Sequence, residues 1–277
     1  MEIKESQYNF SEMHQRMQFY VDAGILPCCA TAVFKGTDLV DHQTFGFMDL
    51  ETREPLRDDA IYRMASNTKL VTSVALMMLQ EEGLFDLDDP LAKFIPEFGE
   101  LQVLQPDATT AADVHPAKNL ISIRHLLSHS AGLSYGFVEP DSVIDQCYLN
   151  GGVNGLGEKD IDLEELCAGI AKLPLAFEPG TSWRYSFATD VCARLVEVLS
   201  GQSFDAFLRQ RIFDPLGMVD TDFWVPQEKA HRLITMYSPE DLFDPMKPGL
   251  NKADDVITGP YRARPKMLSG GGGLVST

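Results

Sequence analysis

The stretch YRMASNTKLVTSVALMMLQEEG, residues 62–83, decides how the rest of the chain is read. Its apolar period is helical from Ser66 to Glu82, and Gly83 supplies the stop. On such a helix Ser66 and Lys69 stand three residues apart, a spacing that puts both side chains on one face with Cβ atoms roughly 5–6 Å apart. A serine hydroxyl is a weak nucleophile until a base takes its proton. A lysine amine serves as that base where burial or the positive end of a helix dipole disfavours its charged form. The same residues also read as a plain polar start to a buried helix, and the spacing alone leaves both readings open. The apolar run behind Ser66 tips the balance, because a lysine in the first turn of such a helix is either half exposed or functional.

Composition narrows the remaining possibilities. A chain of 277 residues suits one large domain or two interleaved ones, and it can bury a sizeable core. A hydrophobic fraction of 44% with 16 Phe argues for a globular protein and against disorder. Net charge is −18, from 23 basic and 41 acidic residues, and no basic run occurs, which argues against nucleic acid and anionic membrane as partners. The longest apolar stretch, Leu70 to Leu79 interrupted by Thr72 and Ser73, is too short to span a bilayer. The opening MEIKESQYNF is polar and unlike a secretory signal. Five cysteines, Cys28, Cys29, Cys147, Cys167 and Cys192, are odd in number and lack metal-type spacing, so a reduced, cytoplasmic protein is expected.

Residues 8–24 read as an amphipathic helix, followed by two strands, CCATAVFKG and LVDHQTFGFMD, joined across Gly36, Thr37 and Asp38. Helical patterns recur at DLDDPLAKFIPEF, at SIRHLLSHSAGL up to Gly132, at residues 161–173 and at 188–200 before Gly201. A further helix follows Ser203 as N-cap and is expected to break before Pro215. The last seventy residues have little periodicity. The expected division is 1–65 (helix and first strands), 66–215 (mainly helical) and 216–277 (an irregular return). Two strands alone make an incomplete sheet, since a lone hairpin is marginal in water.

Other motifs compete with Ser66. GLSYG, Gly132 to Gly136, matches the G-x-S-x-G nucleophile elbow and would nominate Ser134. The elbow needs a strand before the serine and a helix after it; here a helix precedes it and an acidic loop follows, so the match reads as chance. His125 and His129 have the i, i+4 spacing of zinc ligands, but Leu126 stands where the zinc hydrolases carry glutamate, and capping or packing is the better reading. Gly270 to Gly273 lack the Gly-Lys-Ser/Thr of a phosphate loop and read as a flexible turn. Asp86, Asp88 and Asp89 lack calcium-loop spacing and read as caps. No metal or organic cofactor is expected.

EPGTSWRYSFA, residues 178–188, sets Tyr185 after a Pro-Gly turn and just before a helix. Beside a Ser-Lys pair, a phenol can take the serine proton and return it to a leaving group. With SNTK opening a helix, then ISIRHLLSHSAGL, PGTSWRYS and SGGGGLVST in that order, the chain resembles the serine β-lactamase-fold hydrolases. That family includes class C β-lactamases, DD-peptidases, and related esterases and acyltransferases. The pattern is closest to the family VIII-type carboxylesterase branch. The resemblance runs from about residue 10 to the last residue. It implies an α+β fold, an antiparallel sheet flanked by helices plus a helical domain, with Ser66 as the acylated nucleophile, Lys69 as its base partner and Tyr185 as general base and acid.

Two departures shape the expectation. The lactamase branch usually carries Tyr-x-Asn, and here the third position is Phe187, which removes an amide contact and favours carboxylic esters. Members of the family also continue beyond GGGGLVST with strands that carry a third motif and a second oxyanion donor, whose loss typically costs about 10²–10³ in rate. The chain therefore reads as part of a longer or cleaved protein whose C-terminal segment would complete the sheet. The expected activity is hydrolysis of a small-molecule ester through Ser66, with Tyr135 and Phe187 lining the pocket. A β-lactamase, a D-amino-acid peptidase or an acyltransferase are the alternatives on the same fold, and a non-catalytic binding protein is the alternative from another class.

Overall fold

The computed structural model describes residues 8–153, 161–253 and 261–277. Most of the polar N-terminal stretch that argued against a secretory signal lies outside the described residues. The chain divides into two compact units, one made of residues 1–62 and 225–262 with residue 277, the other of 63–224 and 263–276. Among the described residues no helix is long and apolar enough to cross a membrane.

In the first unit, α1 (Ser11–Asp22) is shorter than the 8–24 pattern, and Gly24 beyond it adopts φ +68°. None of its residues is fully buried; it leans on the sheet through His14, which meets the Phe45 ring at 5.9 Å and Asp41 at 2.9 Å. Strands β1 (Cys28–Lys35) and β2 (Asp38–Asp49) pair antiparallel, Cys28 opposite Gly46 and Lys35 opposite Asp38, with a bulge at Val33/Phe34. The short β3 (Glu54–Pro55) adds to the other edge of β2. The aperiodic return segment supplies further backbone. Thr235 N–H donates to Met48 O at 2.9 Å, Ile234 N–H to Ile61 O at 3.1 Å, and Tyr237–Pro239 pairs antiparallel with Leu250–Lys252. A small core of Met48, Leu56 and Ala60 collects Cys28, Tyr62 and Ile234 around it.

The second unit holds the main core. Its helices are α2 (Thr68–Glu81), α3 (Ile123–Leu127), α4 (Val143–Asn150), α5 (Leu163–Ile170), α6 (Ala188–Ser200), α7 (Phe204–Leu208) and α8 (Asp214–Leu216). α2 packs on α6, and Leu76 and Leu79 share one cluster with Val191, Leu195 and Val196. Each leucine buried this fully contributes about 1.5–3 kcal/mol. α6 buries eight of its residues, six of them consecutive from Ala188 to Ala193, so its N-terminal half is enclosed on every side, and Gly201 ends it at φ +69°.

Several local expectations change. Ser66 lies in a 3₁₀ turn, Ala65–Asn67, that leads into α2 rather than in α2 itself. The helix expected up to Gly132 stops at Leu127, and His129 at φ +54° turns the chain. The loop after GLSYG contains α4, capped by Ser142. Ser203 is the N-cap residue of α7, as expected, though its hydroxyl bonds Asp205 rather than a backbone N–H. The chain does not break before Pro215 but runs on through a π-helical stretch, Arg209–Phe213, into α8, with Pro215 in its first turn.

Within β2, Gly46 has φ +80°, and a Cβ there would lie 2.3 Å from Pro27 O. Gly46→Ala is therefore expected to destabilise the protein by at least about 1–2 kcal/mol, the left-handed backbone term alone. Thermal unfolding of that variant measures it.

Candidate active site

The residues of the site all belong to the second unit. Ser66 is exposed at the mouth of α2, and the residue before it, Ala65, is held at φ +43°. A non-glycine residue in that region carries strain of about 1–3 kcal/mol, and such strain persists where the surroundings impose it. Lys69 Nζ lies 3.3 Å from Ser66 Oγ, and Tyr185 Oη donates to the same oxygen at 2.7 Å. The three groups nominated from the sequence are thus brought together. Lys69 Nζ also lies over two rings, 4.5 Å from the centroid of Tyr185 and 5.4 Å from that of Tyr135. Both rings thus stand within cation–π reach of the Lys69 side chain.

The glycine run overturns its reading as a flexible turn. Gly270 and Gly271 are buried, and Lys69 Nζ donates to Gly271 O at 2.7 Å. Thr72, one turn further along α2, donates to Gly270 O at 2.8 Å. From the α6 side, Asp190 Oδ1 accepts from Ser269 Oγ at 2.6 Å and from Gly271 N–H at 3.0 Å. A Cβ on Gly271 would sit 2.4 Å from Asp190 Oδ2 and 2.8 Å from Tyr135 Oη, which leaves room only for glycine. Asp190 was missed in the sequence. Its only signal was its place in the first turn of the helix that follows Tyr185, where a carboxylate favours the N-terminal dipole.

Tyr135 is 7% exposed, and its ring lies 5.2 Å from that of Tyr185. Burial first, then the nearby Asp190, pushes its phenol well up. Phe187, also expected in the pocket, is 2% exposed and packs behind Tyr135 with centroids 4.6 Å apart.

Ser134 is fully buried. It donates to Asp145 Oδ1 and accepts from Arg184 Nε at 2.8 Å. Arg184 also bonds Asp145 at 2.9 Å and Glu139 at 2.7 Å. Burial pushes the Asp145 carboxyl up, but the bonds from Ser134, the Glu139 N–H and Arg184 outweigh it and leave the group below the ordinary value. The G-x-S-x-G match is thus a structural clamp: it ties the 134–145 loop to the residue next to Tyr185.

The two histidines separate. His125 closes a capping box with Ser122, its backbone N–H donating at 3.3 Å and its Nδ1 accepting at 3.2 Å. His129 packs its ring 5.1 Å from Tyr185 and sets Nδ1 3.2 Å from Ser186 Oγ. Of the aspartates, Asp88 chelates Arg124 and Asp89 accepts from Asp86 N–H and Lys93.

With this geometry in hand, the chain can be set beside known proteins. The β-lactamase family model matches residues 13–277, and the chain belongs to that family. It is 34% identical over 256 residues to Protein Rv1367c of Mycobacterium tuberculosis, which is 92% of this chain and 60% of that protein. It is 35% identical over 179 residues to Esterase EstB of Burkholderia gladioli, 64% of this chain and 42% of that one. The solved structure of EstCE1, described as a hydrolase with promiscuous acyltransferase activity, shares the fold: TM-score 0.80 at 24% identity, over 96% of this chain and 68% of its own. The chain thus has the α+β fold of the β-lactamases and spans about 60% of the length of the first of these relatives.

Burial, then the charge of Lys69, pushes the His129 imidazole down to about 4. Its pKa is lowered on folding, so above about pH 6.5 it adds no pH dependence, and below that the unfolded chain binds a proton that the folded one refuses. Stability is expected to fall from about pH 6.5 toward about 4, less steeply in His129→Asn. Urea midpoints at a series of pH values, with imidazole NMR of the native protein unmoved between pH 7 and 5, test this.

Proposed function

We propose that the protein cleaves small carboxylic esters through an acyl-enzyme on Ser66. One observation carries the reading: a lysine 3 residues away and a tyrosine 119 residues away converge on one exposed hydroxyl at 3.3 and 2.7 Å. Attack of Ser66 Oγ on the ester carbonyl forms the new C–O bond while its proton passes to the Lys69–Tyr185 pair. Collapse of the tetrahedral oxyanion breaks the bond to the alcohol, and Tyr185 gives that oxygen a proton. The same pair then takes a proton from water as its oxygen attacks the acyl carbon; the bond to Ser66 Oγ breaks, the pair returns that proton to Oγ, and the acid leaves. The Ser66 N–H, in the 3₁₀ turn that leads into α2, would serve as a donor to the oxyanion in this reading.

Tyr135 shapes the wall of the pocket in this reading, and Phe187 acts from behind it. An apolar side chain at 187 offers no amide to grip a β-lactam side chain, which favours esters over lactams. Relatives named as esterases support the same class. The division into segments at 65 and 215, and a cytoplasmic setting suited to five free thiols, belong to the same proposal.

Intact mass after a fluorophosphonate tests the nucleophile. Label is expected on wild type and on Ser134→Ala (in so far as that buried variant folds) and is lost in Ser66→Ala; label that survives in Ser66→Ala sinks the reading. Tyr185→Phe is expected to lower kcat on a p-nitrophenyl ester by about 10²–10⁴ with the fold intact by circular dichroism. Nitrocefin turnover faster than ester turnover would move the assignment to a β-lactamase. Product diverted to an added alcohol would move it to an acyltransferase.

A further inference from the structure

Trp183 stands 64% exposed, although tryptophan is among the more buried residue types on average. Its indole lies toward the site. It stacks on the Tyr185 ring with centroids 6.4 Å apart and planes at 24°, and it meets the His129 ring edge-on at 6.3 Å. On the far side of Tyr185 the row continues through Tyr135 to Phe137, which stacks on Tyr135 at 4.9 Å and 21° and is 41% exposed. Lys69 Nζ covers the two middle rings and leaves the two outer ones open to solvent.

The backbone beneath Trp183 is held firmly. The neighbouring Arg184, its side chain 12% exposed, is bonded to Ser134, Asp145 and Glu139, and its N–H donates to His129 O at 2.9 Å. An indole on an anchored turn, one ring removed from the proposed nucleophile, presents a flat apolar face at little cost in ordering. The ring beside it, His129, is held neutral above about pH 4, so it adds no charge at that end of the row.

We propose that Trp183 is a stacking platform for a flat apolar ring of the substrate, which makes esters that carry an aromatic ring the preferred class. The inference rests on Ser66 being the nucleophile. Trp183 acts on specificity and takes no part in bond making.

Matched esters that differ only in ring planarity decide it. Ethyl phenylacetate against ethyl cyclohexylacetate probes a ring on the acyl side, and benzyl acetate against cyclohexylmethyl acetate probes one on the alcohol side. Ring stacking beyond area burial corresponds to roughly a two- to tenfold preference in kcat/KM for the aryl member of one pair. Trp183→Ala, at an exposed site, should fold and bring that ratio to about one, and Trp183→Phe should restore most of it. A ratio unchanged in Trp183→Ala, or no aryl preference in wild type, overturns the inference. Binding is read separately in Ser66→Ala with Trp224→Phe, which leaves Trp183 as the only tryptophan of the two. Benzyl acetate is expected to quench its fluorescence at lower concentration than cyclohexylmethyl acetate. Equal quenching by both counts against stacking. If wild type neither hydrolyses esters nor takes the fluorophosphonate on Ser66, the functional reading fails, while this titration still decides whether Trp183 binds rings.

Discussion

A buried carboxylate governs the geometry of the site. Asp190 is 1% exposed, and a charge so far from water has to be met by donors. Ser269 and the Gly271 N–H supply two of them, and in doing so they fix the glycine loop against α6. The same loop then offers its carbonyls to α2: Gly270 to Thr72 and Gly271 to Lys69. Two helices far apart in sequence are therefore joined at their N-terminal ends through one loop. The position of the Lys69 ammonium, and with it the environment of Ser66, follows from that junction. Only glycine can occupy position 271, because Asp190 and Tyr135 already fill the space a Cβ would need.

A second buried charge does comparable work for the tyrosines. Asp145 and Arg184 pair in the interior with Ser134 between them. Buried pairs of this kind contribute little net stability but are costly to break, since the survivor is left uncompensated. What the pair provides is registry. It locks Ser134 and Arg184, and the next residue in each segment is a tyrosine of the site. Phe187 N–H, donating to Ser134 O at 3.3 Å, ties the same two segments by backbone. Tyr135 and Tyr185 are thus set 5.2 Å apart by bonds made at the residues next to them.

The first unit shows a different economy of sequence. Its two long strands come from one continuous stretch, but the backbone that meets their ends comes from residues 225–262, where no alternation marks a strand. Short strands of three residues bury too few side chains to impose a period, and their pairing is set by backbone bonds such as Thr235 to Met48.

The sequence by itself determined the family, most of the helices, and three side chains, Ser66, Lys69 and Tyr185, that the fold brings together. Ser66 and Lys69 were legible because a helical period reports which side chains share a face, and that rule survived the 3₁₀ start of the turn. Tyr185 was legible only through the ordered set of motifs around it, since a single tyrosine carries no period. The tertiary structure alone decided the rest. The GLSYG serine became a clamp and the glycine run a buried brace, because burial and donor geometry, not residue type, separate a nucleophile from a structural hydroxyl. Asp190, the neutral His129 and the strained Ala65 owe their roles to neighbours more than fifty residues away or to backbone angles. Such long-range contacts leave no local pattern in a sequence, so only the folded chain displays them.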